Sequence, residues 1–425
     1  MTELVPVASH NPHCRMPAAD RTASDRPPRL LTLDDLPEAA VSGQPVFVRV
    51  DFNVPLQHGA IIDDTRLREA LPTLEELRRR GARLVLASHL GRPKGRPKPE
   101  LSLRPVAFAL SGLMGAEVLF ADDCVGEPAE RVIGTLRDGG VCLLENLRFH
   151  TGEEANDPAF TRALAKLART YVDDAFGTAH RAHASTFGVA ALAAHRAAGR
   201  LLVREVDQLS RLLDAPAQPF VAVLGGAKVS GKIAVLEALV DRVAKILVGG
   251  GMANTLLLAQ GRELGDSLVE RDHLDTARRV LERCGECGVE VLLPEDLVVT
   301  ADLAAGGAGE VVESDAVPRG MRAVDVGPRT RERFGAAVRT AATVFWNGPL
   351  GVFEQPPFDA GTLALAAATA ECRGFTVVGG GETVAAVQRA GVADRIGHVS
   401  TGGGASLELI AGEDLPGVRA LARDT

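Results

Sequence analysis

Cysteine is scarce in this sequence, and its scarcity excludes a scaffold held together by disulfide bonds. The chain has 6 cysteines among 425 residues, far fewer than small disulfide-rich domains use. Only Cys284 and Cys287 form a C-x-x-C pair, and neither a second pair nor a nearby histidine completes a zinc site. We therefore interpret this pair as two thiols at the end of a helix.

A basic excess and long apolar runs are also missing. No apolar run approaches the ~18 residues of a membrane span, and residues 1–28 contain no apolar segment typical of a secretory signal. The net charge is −8, with 25 basic and 25 acidic side chains in residues 1–200 and 22 and 30 in residues 201–425. A general nucleic-acid-binding protein would show a basic excess. We expect a cytoplasmic protein with no nucleic-acid or membrane partner and a disordered N-terminal extension over residues 1–28.

Apolar stretches alternate with amphipathic ones from residue 46 onward. A helix is predicted over residues 65–81, where Gly81 stops the helical period. Buried strands are predicted at residues 46–52, 83–90, 117–123, 141–149, 170–176, 220–226, 245–251, 289–296, 322–327, 343–348 and 375–381. Because strands that alternate with helices form parallel sheets covered on both faces, we predict an α/β fold of two doubly wound, Rossmann-like domains.

The length of the chain fits two domains of roughly 200 residues each. Apolar residues recur at helical spacing over residues 198–216, and Pro216 and Pro219 follow before the next predicted strand. We interpret this segment as a helix that joins the domains; a surface helix within one domain is the alternative. We place the N-terminal domain at residues 29–203 and the C-terminal domain at residues 204–405.

Polar and cationic side chains follow the predicted strands of the first half. In an open parallel sheet, ligands bind outside the carboxyl ends of the strands. Those ends carry Asp51-Phe52-Asn53, Ser88-His89-Leu90-Gly91-Arg92, Glu145 to Arg148, Asp174 to Gly177, and then His180, Arg181 and His183. A single arginine there would be an ordinary surface residue. Because guanidinium groups pair with phosphate and carboxylate oxygens, arginines and histidines at successive strand ends predict a cradle for a small polyanion.

Glycine occupies the strand ends of the second half. Glycine between a strand and a helix lets backbone N–H groups approach a phosphate. One such cluster would be weak evidence, because close helix–strand packing also selects glycine. The repeated clusters predict a nucleotide site, and they are Gly225-Gly226, Gly249 to Gly251, Gly348, Gly379 to Gly381 and Gly402 to Gly404.

Residues 226–233 read GAKVSGKI and miss the P-loop pattern at the last position, where Ile233 replaces the Ser or Thr that holds Mg²⁺. The dinucleotide fingerprint G-x-G-x-x-G has no clean match after a first strand. An unrelated P-loop or dinucleotide enzyme is therefore the poorer interpretation, although Lys228 and Lys232 suit phosphate contacts. An anion cradle in one half and a nucleotide site in the other indicate a kinase whose domains close around both ligands.

Several motifs in order resemble the phosphoglycerate kinase family from about residue 30 to the C-terminus. They are RVDFNVP (49–55), SHLGRPKG (88–95), LLENLRFH (143–150), DAFGTAHRAHAST (174–186), GGAKVSGK (225–232), GGGMANT (249–255), WNGPLGVFE (346–354), GGGET (379–383) and STGGGASLE (400–408). The resemblance implies a bilobal, monomeric kinase of glycolysis and gluconeogenesis that uses Mg²⁺. It would transfer a phosphoryl group in line, on domain closure, between ATP and 3-phosphoglycerate or between 1,3-bisphosphoglycerate and ADP. Phosphoglycerate would bind to the N-terminal domain, nucleotide to the C-terminal domain, and residues from about 406 to 425 would pack back on the N-terminal domain.

The resemblance also implies roles for individual residues. The substrate ligands would be Asp51, Phe52, Asn53, Arg66, His89, Leu90, Gly91, Arg92, Arg148 and Arg181. The nucleotide ligands would be Lys228, Lys232, Gly249, Gly250, Asn347, Glu354, Gly380, Gly381, Glu382 and Thr383. Glu354 would bind the ribose, the Gly249 strand end would lie against adenine, and Glu382 would reach the metal. The residues around the transferring phosphoryl group, which form the catalytic set, would be Arg66, Lys232, Gly380 and Gly403.

Three residues depart from the family pattern. Glu382 and Gly231 stand where aspartate is usual, and Asp173 stands where asparagine is common. Glutamate is one methylene longer than aspartate, and the geometry of Mg²⁺ is exacting. Gly231 loosens the loop that presents Lys232, and Asp173 adds negative charge near the anion site. These departures support one alternative, a catalytically weakened paralogue that acts as a ligand-binding or regulatory protein.

Overall fold

The computed structural model describes residues 28–304, 307 and 309–423. The disordered extension predicted for residues 1–28 lies outside this range except for its last residue. Tertiary contacts divide the described chain into a first unit, residues 28–207 with 414–423, and a second unit, residues 208–413. The ligand assigned to each domain in the sequence analysis stays a prediction.

The strands of the described residues are numbered here in chain order. They are β1 (Pro45–Val50), β2 (Leu56–Gln57), β3 (Ala60–Ile61), β4 (Arg83–Ala87), β5 (Val118–Ala121), β6 (Val141–Leu144), β7 (Thr170–Asp174), β8 (His195–Ala198), β9 (Phe220–Leu224), β10 (Lys245–Val248), β11 (Glu290–Leu292), β12 (Asp296–Thr300), β13 (Glu310–Glu313), β14 (Arg322–Val326), β15 (Thr343–Asn347), β16 (Phe375–Gly379) and β17 (His398–Val399).

The helices are numbered in the same way, and within the described ranges none is both long and apolar enough to cross a membrane. They are α1 (Thr65–Arg79), α2 (Arg104–Met114), α3 (Gly126–Thr135), α4 (Thr151–Glu154), α5 (Pro158–Ala165), α6 (Val189–Leu192), α7 (Arg200–Leu213), α8 (Ile233–Val240), α9 (Gly250–Ala259), α10 (Leu274–Glu286), α11 (Pro328–Arg339), α12 (Ala360–Glu371), α13 (Gly381–Arg389), α14 (Gly404–Ile410) and α15 (Pro416–Arg419).

Six parallel strands form the main sheet of the first unit, in the order β5-β6-β4-β1-β7-β8. Val48 of β1 is in register with Leu86 of β4 and Val172 of β7, and all three side chains are buried. Leu67 and Leu74 of α1 join the same core. This strand order places the carboxyl ends of β6, β4, β1 and β7 side by side at one edge of the sheet.

The second unit has its own six-stranded parallel sheet, in the order β11-β10-β9-β15-β16-β17. Val223 of β9 is in register with Trp346 of β15, and Trp346 with Val378 of β16. These residues lie in one buried core with Phe334 and Val338 of α11. The predicted α/β fold with two parallel-sheet domains is therefore confirmed.

One predicted strand lies in a different kind of sheet. Residues 322–326 form β14, which pairs antiparallel with β12 in a three-stranded sheet of order β13-β12-β14. A parallel return needs a crossover of a dozen or more residues, usually a helix, whereas the described residues between β12 and β14 contain only β13. The edge strands β8 and β17 were not predicted, because one reads HRAA and the other has only two residues.

The predicted joining helix is present as α7, and a buried carboxylate fixes its start. The Oδ1 atom of Asp174 accepts hydrogen bonds from the backbone N–H groups of Leu201 at 2.9 Å and Leu202 at 3.2 Å. Gly199 must be glycine because a Cβ atom there would lie 2.2 Å from Asp174 Oδ1. Burial raises the pKa of Asp174 to about 7, although these hydrogen bonds and one with Thr73 oppose the rise.

The C-terminal segment of residues 414–423 packs within the first unit. The backbone N–H of Leu31 donates to the carbonyl of Leu421 at 2.9 Å, and that of Arg423 donates to Arg29 at 2.8 Å. The N–H of Gly417 donates to the carbonyl of Ala179 at 2.8 Å. The first unit is therefore assembled from both ends of the described chain.

Replacing Asp174 by Asn should stabilise the fold more at pH 8 than at pH 5. The carboxyl has a pKa of about 7 in the folded protein and about 3.9 in an unfolded chain. Between these values the folded state binds more protons, so this group's contribution to stability falls as pH rises. Asparagine keeps the accepting oxygen and cannot ionise. Urea unfolding gives the unfolding free energy of the variant and of the parent at each pH. From pH 5 to pH 8, the advantage of the variant over the parent should grow by on the order of 2 kcal/mol. An equal advantage at both pH values would contradict this prediction.

Candidate active site

The carboxyl edge of the first unit's sheet gathers Asp51, Arg66 and His89. Arg66, in the first turn of α1, places Nη1 2.7 Å from Asp51 Oδ2, and Asp51 Oδ1 lies 3.8 Å from His89 Nδ1. Burial raises the pKa of Asp51, but the charge of Arg66, the nearby His89 ring and the charge of Arg49 outweigh burial and keep it below its usual value. Burial holds the pKa of His89 well below 6.5, so its ring is neutral at pH 7.

Arg49 lies at the centre of this cluster and was not among the predicted site residues. Its side chain is only 1% exposed. Its Nε donates to Ser185 Oγ at 2.8 Å, its Nη1 donates to the carbonyl of Val50, and its Nη2 lies 3.2 Å from His89 Nδ1. Ser185 Oγ in turn donates to Glu153 Oε1 at 2.7 Å. An arginine inside an otherwise apolar strand was the signal in the sequence that could have identified it.

Positive charge is concentrated beside this cluster. Arg148 is 4% exposed. Burial lowers the pKa of His183 to about 4, and the charges of Arg148, Arg49 and Arg181 lower it further. Burial and then Arg181 also lower the pKa of His180. The Nδ1 atoms of both histidines have no hydrogen-bond partner among the described residues. Buried arginines around two neutral rings make a site that favours an anionic ligand.

The remaining predicted residues of this half differ in what they can offer a ligand. Asn53 Oδ1 accepts the backbone N–H of Gly91 at 2.9 Å, so this side chain supports the loop after β4. Phe52 and Leu90 are 0% and 2% exposed and belong to the hydrophobic core. Only their backbone groups could meet a ligand. Arg92 is exposed to solvent at the same edge.

The negative charge added by Asp173 is buried within the sheet. Asp173 is 0% exposed, and one carboxyl oxygen accepts the backbone N–H of Ala175 at 2.9 Å. Burial raises its pKa to about 6, while the Ala175 hydrogen bond, the charge of Arg49 and the Tyr171 hydroxyl oppose the rise. This departure from the family pattern is therefore buried in the sheet, in register with Arg49 of β1, and adds no charge at the surface.

A second group of ionisable residues follows β5 in the first unit. Donor atoms of Asp123, Cys124 and His150 lie within 4.8 Å of one another. Asp123 Oδ1 already accepts the N–H of Cys124 at 2.6 Å and lies 2.7 Å from His150 Nε2. Burial and the charge of Asp123 raise the pKa of Cys124 well above 9, and a protonated thiol is a poor metal ligand. A hydrogen-bonded turn therefore accounts for this group.

In the second unit, a cavity of about 500 Å³ opens at the carboxyl ends of the neighbouring strands β9, β15 and β16. The strand order brings together glycines and polar residues that are more than 100 positions apart in the chain. The lining residues are Gly225, Gly226, Ala227, Lys228, Gly231, Lys232, Asn347, Gly348, Gly380, Gly381, Glu382 and Thr383. Most of the predicted phosphate ligands thus line one space.

Lys232 is held at this cavity by two carbonyl groups. Its Nζ donates to the carbonyl oxygens of Gly225 at 2.7 Å and Asn347 at 2.8 Å. Burial lowers the pKa of Lys232 to about 8, against the opposing charge of Glu382. The ammonium group therefore stays mainly protonated at pH 7. Lys228, which lines the same cavity, is exposed.

Hydrogen-bond donors surround the start of α13. Gly380 precedes the helix with a φ of 92°, a left-handed conformation that favours glycine. Asn347 Nδ2 has no hydrogen-bond partner among the described residues, and a Cβ atom on Gly380 would lie 3.0 Å from it. Thr383 Oγ1 accepts the N–H of Gly348 at 2.7 Å, which fixes the turn after β15. Free amide groups at a helix start are suited to bind phosphate.

A second cavity, of about 210 Å³, shares Gly226, Ala227 and Glu382 with the first. Gly250 and Glu354 line it as predicted ligands of the nucleotide. The apolar lining of this cavity was not predicted, because several of its residues come from the antiparallel sheet, which was not predicted either. The apolar residues include Leu268, Pro294, Leu297, Ala323, Val324, Val326, Leu350 and Val352.

Two predicted glycines line neither cavity. A Cβ atom on Gly249 would lie 2.5 Å from Leu350 Cδ2, so close packing requires glycine there. Gly403, with a φ of 54°, precedes α14. Neither residue is among those that line the two spaces in the described part of the second unit.

Comparison with known proteins identifies the family. The model of the family "Phosphoglycerate kinase" matches residues 34–413. The phosphoglycerate kinases of Moorella thermoacetica and Desulforudis audaxviator are 53% identical over 391 residues and 54% identical over 383. They cover 92% and 90% of this chain, and the matches span 98% and 97% of the relatives. The structure of phosphoglycerate kinase from Coxiella burnetii superposes with a TM-score of 0.82 at 41% identity, over 93% of this chain and 100% of that one. The chain therefore belongs to the phosphoglycerate kinase family.

The function predicted from the sequence is confirmed by this membership. The enzyme transfers a phosphoryl group reversibly between 1,3-bisphosphoglycerate with ADP and 3-phosphoglycerate with ATP. Nothing in the comparisons supports a weakened paralogue, and relatives at this level of identity bear the enzyme's name.

Substitution of Gly380 by Ala should impair nucleotide use far more than substitution of its neighbour Gly381. At Gly380 a side chain would meet Asn347 Nδ2 and force a strained φ of 92°. At Gly381 a Cβ atom would meet nothing within 4 Å. Strain of about 1–2 kcal/mol at Gly380, with a displaced amide, should reduce kcat/KM for ATP at least tenfold. Steady-state kinetics of both variants give the loss in kcat/KM for ATP. If the two variants lose the same amount, the nucleotide phosphates do not bind at Gly380.

Proposed function

We propose that the first unit binds the phosphoglycerate through Asp51, Asn53, Arg66, His89, Arg92, Arg148 and Arg181. The observation that supports this most directly is that Arg49, Arg148 and Arg181 surround His183, whose pKa is lowered to about 4 first by burial and then by their charges. Arg148 Nε lies 3.3 Å from Glu154 Oε1 and has no hydrogen-bond partner among the described residues, so this guanidinium can still bind an anionic group of a ligand. A phosphate and a carboxylate on one small molecule would pair with these arginines.

The second unit then binds the nucleotide. Lys228, Lys232, Asn347 and the backbone at Gly380 and Gly381 would hold the phosphates in the 500 Å³ cavity. The base would enter the apolar 210 Å³ cavity, with Glu354 at its ribose side. The unpartnered amide of Asn347 supports this assignment, because it is a buried donor directed at the cavity.

The site also fits Mg²⁺ carried by the nucleotide. Glu382 lines both cavities, is exposed to them, and offers the carboxylate oxygens that this hard cation prefers. Its position in the first turn of α13 places the carboxylate beside the proposed phosphates. When bound, Mg²⁺ would offset the negative charge of the phosphate oxygens.

The chemistry needs no covalent intermediate with the enzyme. The acceptor carboxylate is already ionised near pH 7, because carboxyl groups have pKa values of about 4, so no general base is required. Arg66 and Lys232 would neutralise charge on the transferring group, and the N–H groups at the start of α13 would bind its oxygens. Since each unit holds one ligand, we infer that closure of the units aligns donor and acceptor and excludes water.

We also propose that the enzyme is a cytoplasmic monomer with small-molecule partners only. The acidic composition supports a protein that does not bind nucleic acids.

Replacement of Arg66 by Ala should lower kcat on the order of 10²-fold or more, with a smaller effect on phosphoglycerate binding. Arg66 is 33% exposed beside Asp51, so its guanidinium can meet charge that develops on the transferring group. Arg68 is a matched control, because it pairs with Asp64 at 2.8 Å on the exposed face of the same helix. Initial rates measured while the concentration of each substrate is varied in turn test this prediction. A raised KM for 3-phosphoglycerate with a normal kcat would show that Arg66 only binds the substrate.

Glu382 should control how the reaction rate depends on the Mg²⁺ concentration. Mg²⁺ bonds are short, about 2.0–2.1 Å, and octahedral, so the longer glutamate must retract or reach the ion through water. We expect Glu382→Asp to preserve or raise kcat and to lower the Mg²⁺ concentration for half-maximal rate. Glu382→Gln should lose activity tenfold or more, about 1.4 kcal/mol. Mg²⁺ titrations of the three proteins decide the point, and a Gln variant equal to the parent throughout would remove Glu382 from the metal site.

A further inference from the structure

The loop that carries both lysines is fastened to a distant carboxylate. Ser230 opens the short 3-10 turn Ser230–Lys232 that leads into α8. Glu270 accepts the backbone N–H of Ser230 at 2.9 Å on Oε2 and the Ser230 hydroxyl at 2.6 Å on Oε1. Both carboxylate oxygens therefore bind one residue, two positions from Lys228 and two from Lys232.

The segment around Glu270 is itself attached to α9. The backbone N–H of Glu270 donates to Thr255 Oγ1 at 3.1 Å, and Asn254 Nδ2 donates to the carbonyl of Leu268 at 3.3 Å. Thr255 Oγ1 donates to the carbonyl of Gly251 at 3.0 Å. Residues 268–270 thus have a fixed support, and Glu270 reaches the lysine loop from that support.

The same segment lines the proposed base site. Leu268 is 56% exposed and faces the 210 Å³ cavity with Gly251 and Asn254. Residues 268–270 therefore contact the base cavity at one end and the lysine loop at the other. A base that packs on Leu268 would order the segment that holds Ser230.

Between the buried Val229 and the anchored Lys232, the centre of the lysine loop gains no side-chain contact from Gly231. Gly231 is exposed, and a Cβ atom there would meet nothing within 4 Å. Burial raises the pKa of Glu270, but the Ser230 hydroxyl, the N–H groups of Ser230 and Val229 and the charge of His273 outweigh it and keep the pKa low. Glu270 is therefore ionised at neutral pH and accepts these hydrogen bonds at full charge.

We propose that Glu270 is a positioning residue of the nucleotide site, which fixes the loop bearing Lys228 and Lys232 and links its placement to occupancy of the base cavity through Leu268. This inference rests on the proposed assignment of the two lysines to the nucleotide phosphates. Glu270 itself need not touch the substrate. Without its carboxylate, a glycine-containing loop would sample several positions, and the lysines would reach the transition state less often.

The test compares Glu270→Ala with Asp272→Ala, an exposed acidic residue two positions away, and with Lys232→Ala. Steady-state kinetics should show Glu270→Ala losing kcat at least tenfold, with the KM for 3-phosphoglycerate within twofold of the parent and an unchanged melting temperature. Asp272→Ala should match the parent. Glu270→Gln, which keeps one accepting oxygen, should fall between the parent and the alanine variant.

A rescue experiment separates positioning from a general structural role. Adding Gly231→Ala to Glu270→Ala should recover kcat at least threefold, because alanine restricts the loop and has room for its methyl group. Failure of the rescue, or a melting temperature that falls in proportion to kcat, would overturn the proposal. If Lys232→Ala loses activity while Glu270→Ala behaves like Asp272→Ala, this inference alone is wrong. If Lys232→Ala retains full activity, the lysine assignment is wrong instead.

Discussion

Parallel strands end at one edge of their sheet, and both halves of the proposed active site depend on that constraint. In the first unit the order β6-β4-β1 brings Arg148, His89 and Asp51 to the segments that follow neighbouring strands. In the second unit β9, β15 and β16 bring Gly225, Asn347 and Gly380 around one cavity. Each strand by itself brings only one or two functional groups to the site. Backbone pairing within the sheet therefore fixes where the functional groups lie, and loops only adjust them.

Charge in the first unit is arranged around a buried guanidinium. Arg49 is bound by Ser185 and the carbonyl of Val50, and Ser185 is held by the buried Glu153. These hydrogen bonds satisfy the N–H groups of Arg49, but they leave its positive charge in place. The neighbouring histidines have lowered pKa values, chiefly because they are buried and further because of arginine charges, that of Arg49 among them. In the second unit, backbone amides and the partly buried Lys232 would serve the corresponding purpose for the proposed phosphates.

Sequence reasoning succeeded where a pattern is local. Alternating apolar segments predicted the parallel sheets, and α7 was placed within a few residues of its observed bounds. It erred on β14, because the direction of a strand depends on the connection that precedes it and not on its own residues. Its assignment of Gly249 to the nucleotide stays a prediction, and contact with Leu350 gives a packing reason for that glycine as well. It overlooked Arg49, although an arginine inside an apolar strand was a signal, and it overlooked the apolar cavity of about 210 Å³, whose lining comes from distant segments.

The sequence by itself determined the class of fold, the family and the chemical kinds of residue at the strand ends, because these follow from periodicity and contiguous motifs. Only the tertiary structure decided which groups are charged and which backbone amides are free. Those properties depend on burial and on neighbours far away in the chain, as the depressed pKa of Lys232 and the raised pKa of Asp173 show. Likewise, Glu270 and Ser230 are 40 residues apart, and nothing in the spacing of two surface-type residues predicts a hydrogen bond that only folding creates.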